Sequence, residues 1–74
     1  MEKIIYVQLL DEGTPVYRSV PSVEIGDNVF EIRGHSTYDP ENELWEFLPG
    51  TIVIVEEKSL SGGNVLAAIK EYIG

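Results

Sequence analysis

A small antiparallel SH3-like barrel of about five to six short strands is the fold class this sequence predicts, all-β or at least β-rich. Three stretches carry that expectation. Residues 44 to 57, LWEFLPGTIVIVEE, set two β-rich runs either side of a Pro49-Gly50 corner. Residues 3 to 20 read as strand, turn and strand, with Asp11-Glu12-Gly13-Thr14 between KIIYVQLL and PVYRSV. Gly26-Asp27-Asn28 is a hairpin turn between SVEI and VFEIR. An open sheet with a C-terminal helix is the alternative within the same class.

On the first strand Ile5, Val7 and Leu9 share one face and Ile4, Tyr6, Gln8 and Leu10 the other; with neither face clearly polar, both are expected to be covered. Pro15 and Pro21 lack a backbone donor, which confines the second strand to an edge or to strand ends, with a bend near Pro21. Val23 and Ile25 then alternate with Ser22 and Glu24, and in the third strand Phe30 and Ile32 point away from Glu31 and Arg33. Gly34 to Glu43, GHSTYDPENE, is polar and aperiodic and forms the longest loop. LWEF follows as a short strand with Trp45 and Phe47 on one core-facing side, and the continuous run Ile52 to Val55 predicts a strand buried on both faces.

The last element has two readings. A Ser61-Gly62-Gly63-Asn64 turn would pair TIVIVEEKSL with VLAAIKEYI as a hairpin. Asn64 could instead cap a helix with the stripe Val65, Leu66, Ile69, Tyr72 and Ile73. The strand is preferred, because a segment this short makes a poor isolated helix and a hairpin covers an edge of the strongest strand.

The 74 residues form one small domain, 1–74, with a core that contributes only a few kcal/mol net. With no cysteine and one histidine, neither disulfides nor a structural zinc site can staple it, which leaves a monomer or weak homodimer. The opening MEKIIYVQLLDEG lacks a cleavage pattern and no run is long enough to span a membrane, so the expected location is cytoplasmic. Thirteen acids against five bases give a net charge of −8, which disfavours nucleic acid and anionic membranes and favours a basic protein partner.

Catalytic and metal chemistry find little support. His35 is a lone loop histidine, and Ser36, Ser59 and Ser61 lack the strained elbow of a nucleophile. Asp39, Glu41 and Glu43 alternate as hard-cation ligands do, but Pro40 interrupts them and the calcium-loop glycine and bidentate glutamate are missing. Gly62-Gly63 lacks a phosphate-binding lysine. No catalytic residue, metal or cofactor is therefore expected. Trp45 and Phe47 are assigned to the core, and Tyr38 is expected to be the most exposed aromatic. Tyr38, Asp39, Glu41 and Glu43 are the expected binding residues, on a loop whose combined replacement by Ser should spare folding.

The segments YVQLLDEGTPVYRSV and WEFLPGTIVIVEE resemble a group of short bacterial proteins with an LLDEGT, R, V opening and a WEF, PG, VV centre. The matching positions are Asp11, Glu12, Gly13, Thr14, Arg18, Trp45, Phe47, Pro49 and Gly50; Ser19-Val20 departs from the group's Arg-Pro-Val, and the helical character of Ala67 to Tyr72 is a second departure. The resemblance implies a small bacterial β-rich domain and no assigned activity. The expected function is a non-enzymatic module that binds a protein; the alternative is an acidic inhibitor or antitoxin-like protein that masks a basic surface.

Duplex DNA or RNA is expected not to bind at micromolar concentration and moderate ionic strength, because Lys3, Arg18, Arg33, Lys58 and Lys70 are dispersed among the acids. Salt-sensitive micromolar binding to an arbitrary duplex would contradict this.

Overall fold

Alternation of β-branched and polar residues organises the chain into five strands: β1 (Glu2–Gln8), β2 (Tyr17–Gly26), β3 (Val29–Ile32), β4 (Ile52–Leu60) and β5 (Gly63–Glu71). The computed structural model describes residues 2–60 and 62–73. The strands hydrogen-bond in the order β1-β2-β3-β4-β5 and close into a barrel, which is the architecture of a small SH3-like fold. Neighbours in chain order are antiparallel, but closure is not: β5 meets β1 in parallel through Tyr6 and Ala67.

The interior is filled from every strand. Ile5, Val7, Val20, Phe30, Ile32, Val53 and Val55 are buried, with Ala67 and Ala68 supplying small side chains from β5 and Leu9 and Trp45 lying beyond the end of β1. The expected pairing of Phe30 and Ile32 on one inward face is observed. Several expectations for other faces are corrected. The outer face of β1 is not covered, since Ile4 is 58% exposed. On β2 the buried positions are Val20 and Ser22, while Ile25 is exposed. Ser22 tolerates that burial because its hydroxyl donates to the Lys3 carbonyl at 2.8 Å. Ile52 and Ile54, on the outer side of β4, are only half-buried.

Pro21 lies inside β2, opposite Ile4, rather than at a strand end. The last β2–β3 ladder pair is Ser22 with Ile32; one position further on Arg33 N donates to the Pro21 carbonyl at 2.9 Å, and proline, lacking an N–H, cannot return that bond, so the ladder stops beside it. At the β2–β3 turn the connection is two residues, Asp27-Asn28, with Asn28 in the left-handed region at φ 61° and a bulge between Glu24 and Gly26.

The C-terminal segment is a strand, and the helical alternative is not observed. Its misleading spacing has a structural cause. Ile54 pairs with Lys70 and Val55 with Ala68, so Ile69 is an extra residue on β5. A bulge of this kind shifts the inward-outward alternation by one, and the apolar positions on either side no longer follow a period of two. Ser61 of the expected turn lies outside the described residues, while Gly62 and Gly63 both adopt positive φ.

LWEF is not a strand. Only Trp45 forms a bridge, antiparallel with Leu9, and the 33–51 stretch is otherwise connected by turns. Leu10 N donates to Leu44 O at 2.7 Å and Glu46 N to Gln8 O at 2.8 Å, which docks the segment beside the end of β1.

Phe30→Ala is expected to destabilise by about 3–5 kcal/mol, comparable with the whole stability of so small a fold, whereas Ile25→Ser should stay within about 0.5 kcal/mol. Urea denaturation of both variants checks the pair; a Phe30→Ala midpoint close to the wild type contradicts this account of the core.

Candidate functional site

Two successive turns shape the loop after β3. Thr37 N and Tyr38 N donate to Gly34 O at 3.0 and 2.9 Å, and Asn42 N and Glu43 N donate to Asp39 O at 3.1 and 2.9 Å. Gly34 is required at the first of these. Its φ is +99°, and a Cβ there would lie 3.1 Å from Thr37 Oγ1 and 3.4 Å from the Pro21 ring. Asp39 organises the second turn, its two carboxylate oxygens accepting from Glu41 N at 3.0 Å and from Asn42 Nδ2 at 2.6 Å.

The loop is then fastened to the barrel by its aromatic residues and one ion pair. Tyr38 packs on the core with its ring centroid 4.8 Å from that of Trp45, tilted by 58°. Tyr38 is thus half-buried, and the expectation that it is the most exposed aromatic is corrected; Tyr72, at 43%, is exposed. Glu43 accepts from Arg18 Nε at 3.1 Å through Oε1 and from Arg18 Nη2 through Oε2, a bidentate pair. The Trp45 indole also donates to Glu43 Oε1, at 3.1 Å. The Arg18 hydrogen bonds, followed by the indole, hold the Glu43 carboxyl below its ordinary range against the opposing effect of partial burial. The same contact raises Arg18.

Arg18, Ser19, Pro21, Thr37, Asp39, Asn42, Glu43 and Trp45 surround an open cleft of about 460 Å³. Its charged residues largely satisfy one another, so it offers no free acid–base pair. The four expected binding residues accordingly have different roles. Glu43 and Tyr38 hold the loop to the barrel, Asp39 shapes it, and Glu41 is exposed with its carboxylate in none of the ion pairs among the described residues. Three of the four form contacts that order the loop, so their combined replacement by Ser carries an expected folding cost that the sequence did not suggest.

Arg18 is the site residue that sequence reasoning did not assign to the loop. It lies 25 positions from Glu43, and no local pattern connects a β2 arginine with a loop acid. His35 is exposed beside the Gly50 turn and takes part in no side-chain hydrogen bond among the described residues. Among the described residues no group of three or more His, Cys, Asp and Glu is placed to hold a metal ion, and no helix is long and apolar enough to cross a membrane.

Glu43→Gln should reduce stability at neutral pH by up to about 1 kcal/mol, the range of a solvent-screened ion pair. The sign with pH follows from the lowered carboxyl. Its stabilisation is fully present above the unfolded-state carboxylate range and is lost as pH falls through the lower folded value. The gap between wild type and variant is therefore expected to close in acid, measured by urea midpoints across that range; a gap that widens there contradicts the pairing.

No family model, curated protein or solved structure matches the chain. Its functional reading rests on the chemistry of its own surface.

Proposed function

We propose that this protein is a non-enzymatic interaction module that binds a protein partner with a basic surface, using the face built by the Tyr38 to Glu43 loop. The observation that carries the reading is the tethering of that loop. The Asp39 turn, the Tyr38–Trp45 contact and the Arg18–Glu43 pair order its backbone before any partner arrives, while the exposed Glu41 carboxylate joins no ion pair among the described residues. Ordering in advance lowers the entropy cost of association. The net charge of −8 supplies long-range attraction for a basic surface. A bacterial, cytoplasmic setting is part of this reading, its bacterial half resting on the resemblance of the LLDEGT and WEF segments. The excess of acids also favours a second reading, an acidic inhibitor or antitoxin-like protein; inhibition of a captured partner's own activity by the purified chain would separate the two.

Charge reversal at Glu41 tests the reading with little risk to folding. Glu41→Lys is expected to keep the wild-type circular dichroism spectrum and lose most partner capture from a lysate of the source cells. Undiminished capture by the folded variant would remove this face from the interaction.

A further inference from the structure

We infer that the partner enters as an extended segment carrying one apolar side chain between two Lys or Arg residues, with the apolar group seated between Leu10 and Leu44; the inference rests on the interaction reading above. The Leu10 N to Leu44 O hydrogen bond, 2.7 Å, lays the turn after β1 against the end of the long loop. A groove of about 190 Å³ opens there, lined by Leu10, Pro40, Leu44 and the Arg18-paired Glu43 and rimmed by Asp11, Glu12 and Glu41. Leu10 and Leu44 are 44% and 40% exposed, and the three rim carboxylates are exposed as well. The ion pairs among the described residues, Lys3–Glu24, Arg18–Glu43 and Arg33–Glu31, leave all three rim acids unengaged.

Size and charge select the occupant. Small-molecule sites enclose roughly 300–1,000 Å³, so this shallow groove suits a single side chain instead. Its acids are too dispersed for a metal ion, among the described residues, yet suitably spread for two basic side chains flanking an apolar one. A second copy of the chain fits poorly, because each copy carries −8 and its sequence contains no apolar residue between two bases. The apolar contact sets register and the flanking charges steer the encounter.

The probe is the acetylated, amidated peptide Gly-Arg-Leu-Arg-Gly, titrated into the full ¹⁵N-labelled chain at low salt, beside a counterpart with Ser replacing Leu. Saturable shifts are expected at the amides of Leu10, Asp11, Glu12, Glu41 and Leu44, with the Ser peptide several-fold weaker. A Glu12→Gln, Glu41→Gln double variant should bind about fivefold more weakly, in line with two screened surface pairs. Equal binding of the two peptides, shifts centred on Arg18, Ser19 and Trp45, which line the other cleft only, or concentration-dependent self-association through Leu10 and Leu44 would each overturn the groove. No shift by either peptide, while Glu41→Lys still abolishes partner capture, overturns the groove and leaves the interaction reading standing; no shift together with unchanged capture overturns both.

Discussion

Everything around the long loop depends on burying one indole. Trp45 belongs to no strand, yet it is only 4% exposed, bridged to Leu9 at the end of β1 and packed with the core. An aromatic of that size brings more apolar surface into the interior than any other residue of this chain, and a small fold needs that contribution. The indole N–H cannot be left unpaired once buried, and Glu43, two residues earlier, accepts it. Arg18 then neutralises the carboxylate from β2. One hydrophobic requirement thus recruits an acid and a base, and through them ties loop and barrel together.

That chain of dependence divides the loop acids by role. Glu43 is occupied by the indole and the guanidinium, and Asp39 by backbone and amide donors of its own turn. Glu41 is left facing solvent, and the turn after β1 brings Asp11 and Glu12 beside it. Cations are distributed in the opposite sense. Lys3, Arg18 and Arg33 pair with glutamates, and Lys58 lies over the Tyr17 ring at 5.9 Å. Positive charge is therefore largely compensated within the molecule while much of the negative charge is directed outward, an asymmetry that the net charge alone does not convey.

Barrel closure imposes the second constraint. Five strands make a narrow barrel, and where β5 returns to β1 it carries both a bulge and small buried side chains. The extra residue Ile69 forms that bulge, and Ala67 and Ala68 keep the junction compact. The same closure leaves outer-face residues such as Ile4 in solvent, because a barrel has one interior and no second layer to cover the outside.

By itself the sequence determined the β class, the strand-turn-strand opening, a hairpin turn at Gly26-Asp27-Asn28, which the structure tightens to the two residues Asp27-Asn28, the common face of Phe30 and Ile32 and the burial of Trp45, since each is encoded by residues near one another in the chain. Tertiary structure decided what depended on distant partners. Pro21 sits within β2 at the position where the β2–β3 ladder ends, opposite Arg33, and no local pattern around the proline reveals that partner. The C-terminal run imitates a helix because a bulge, set by its pairing with β4, breaks the alternation. Tyr38 is half-buried because Trp45 lies beneath it, and Glu43 is occupied because Arg18 arrives from another strand. Local spacing selects an element; the geometry of closure selects which side chains remain free to meet another molecule.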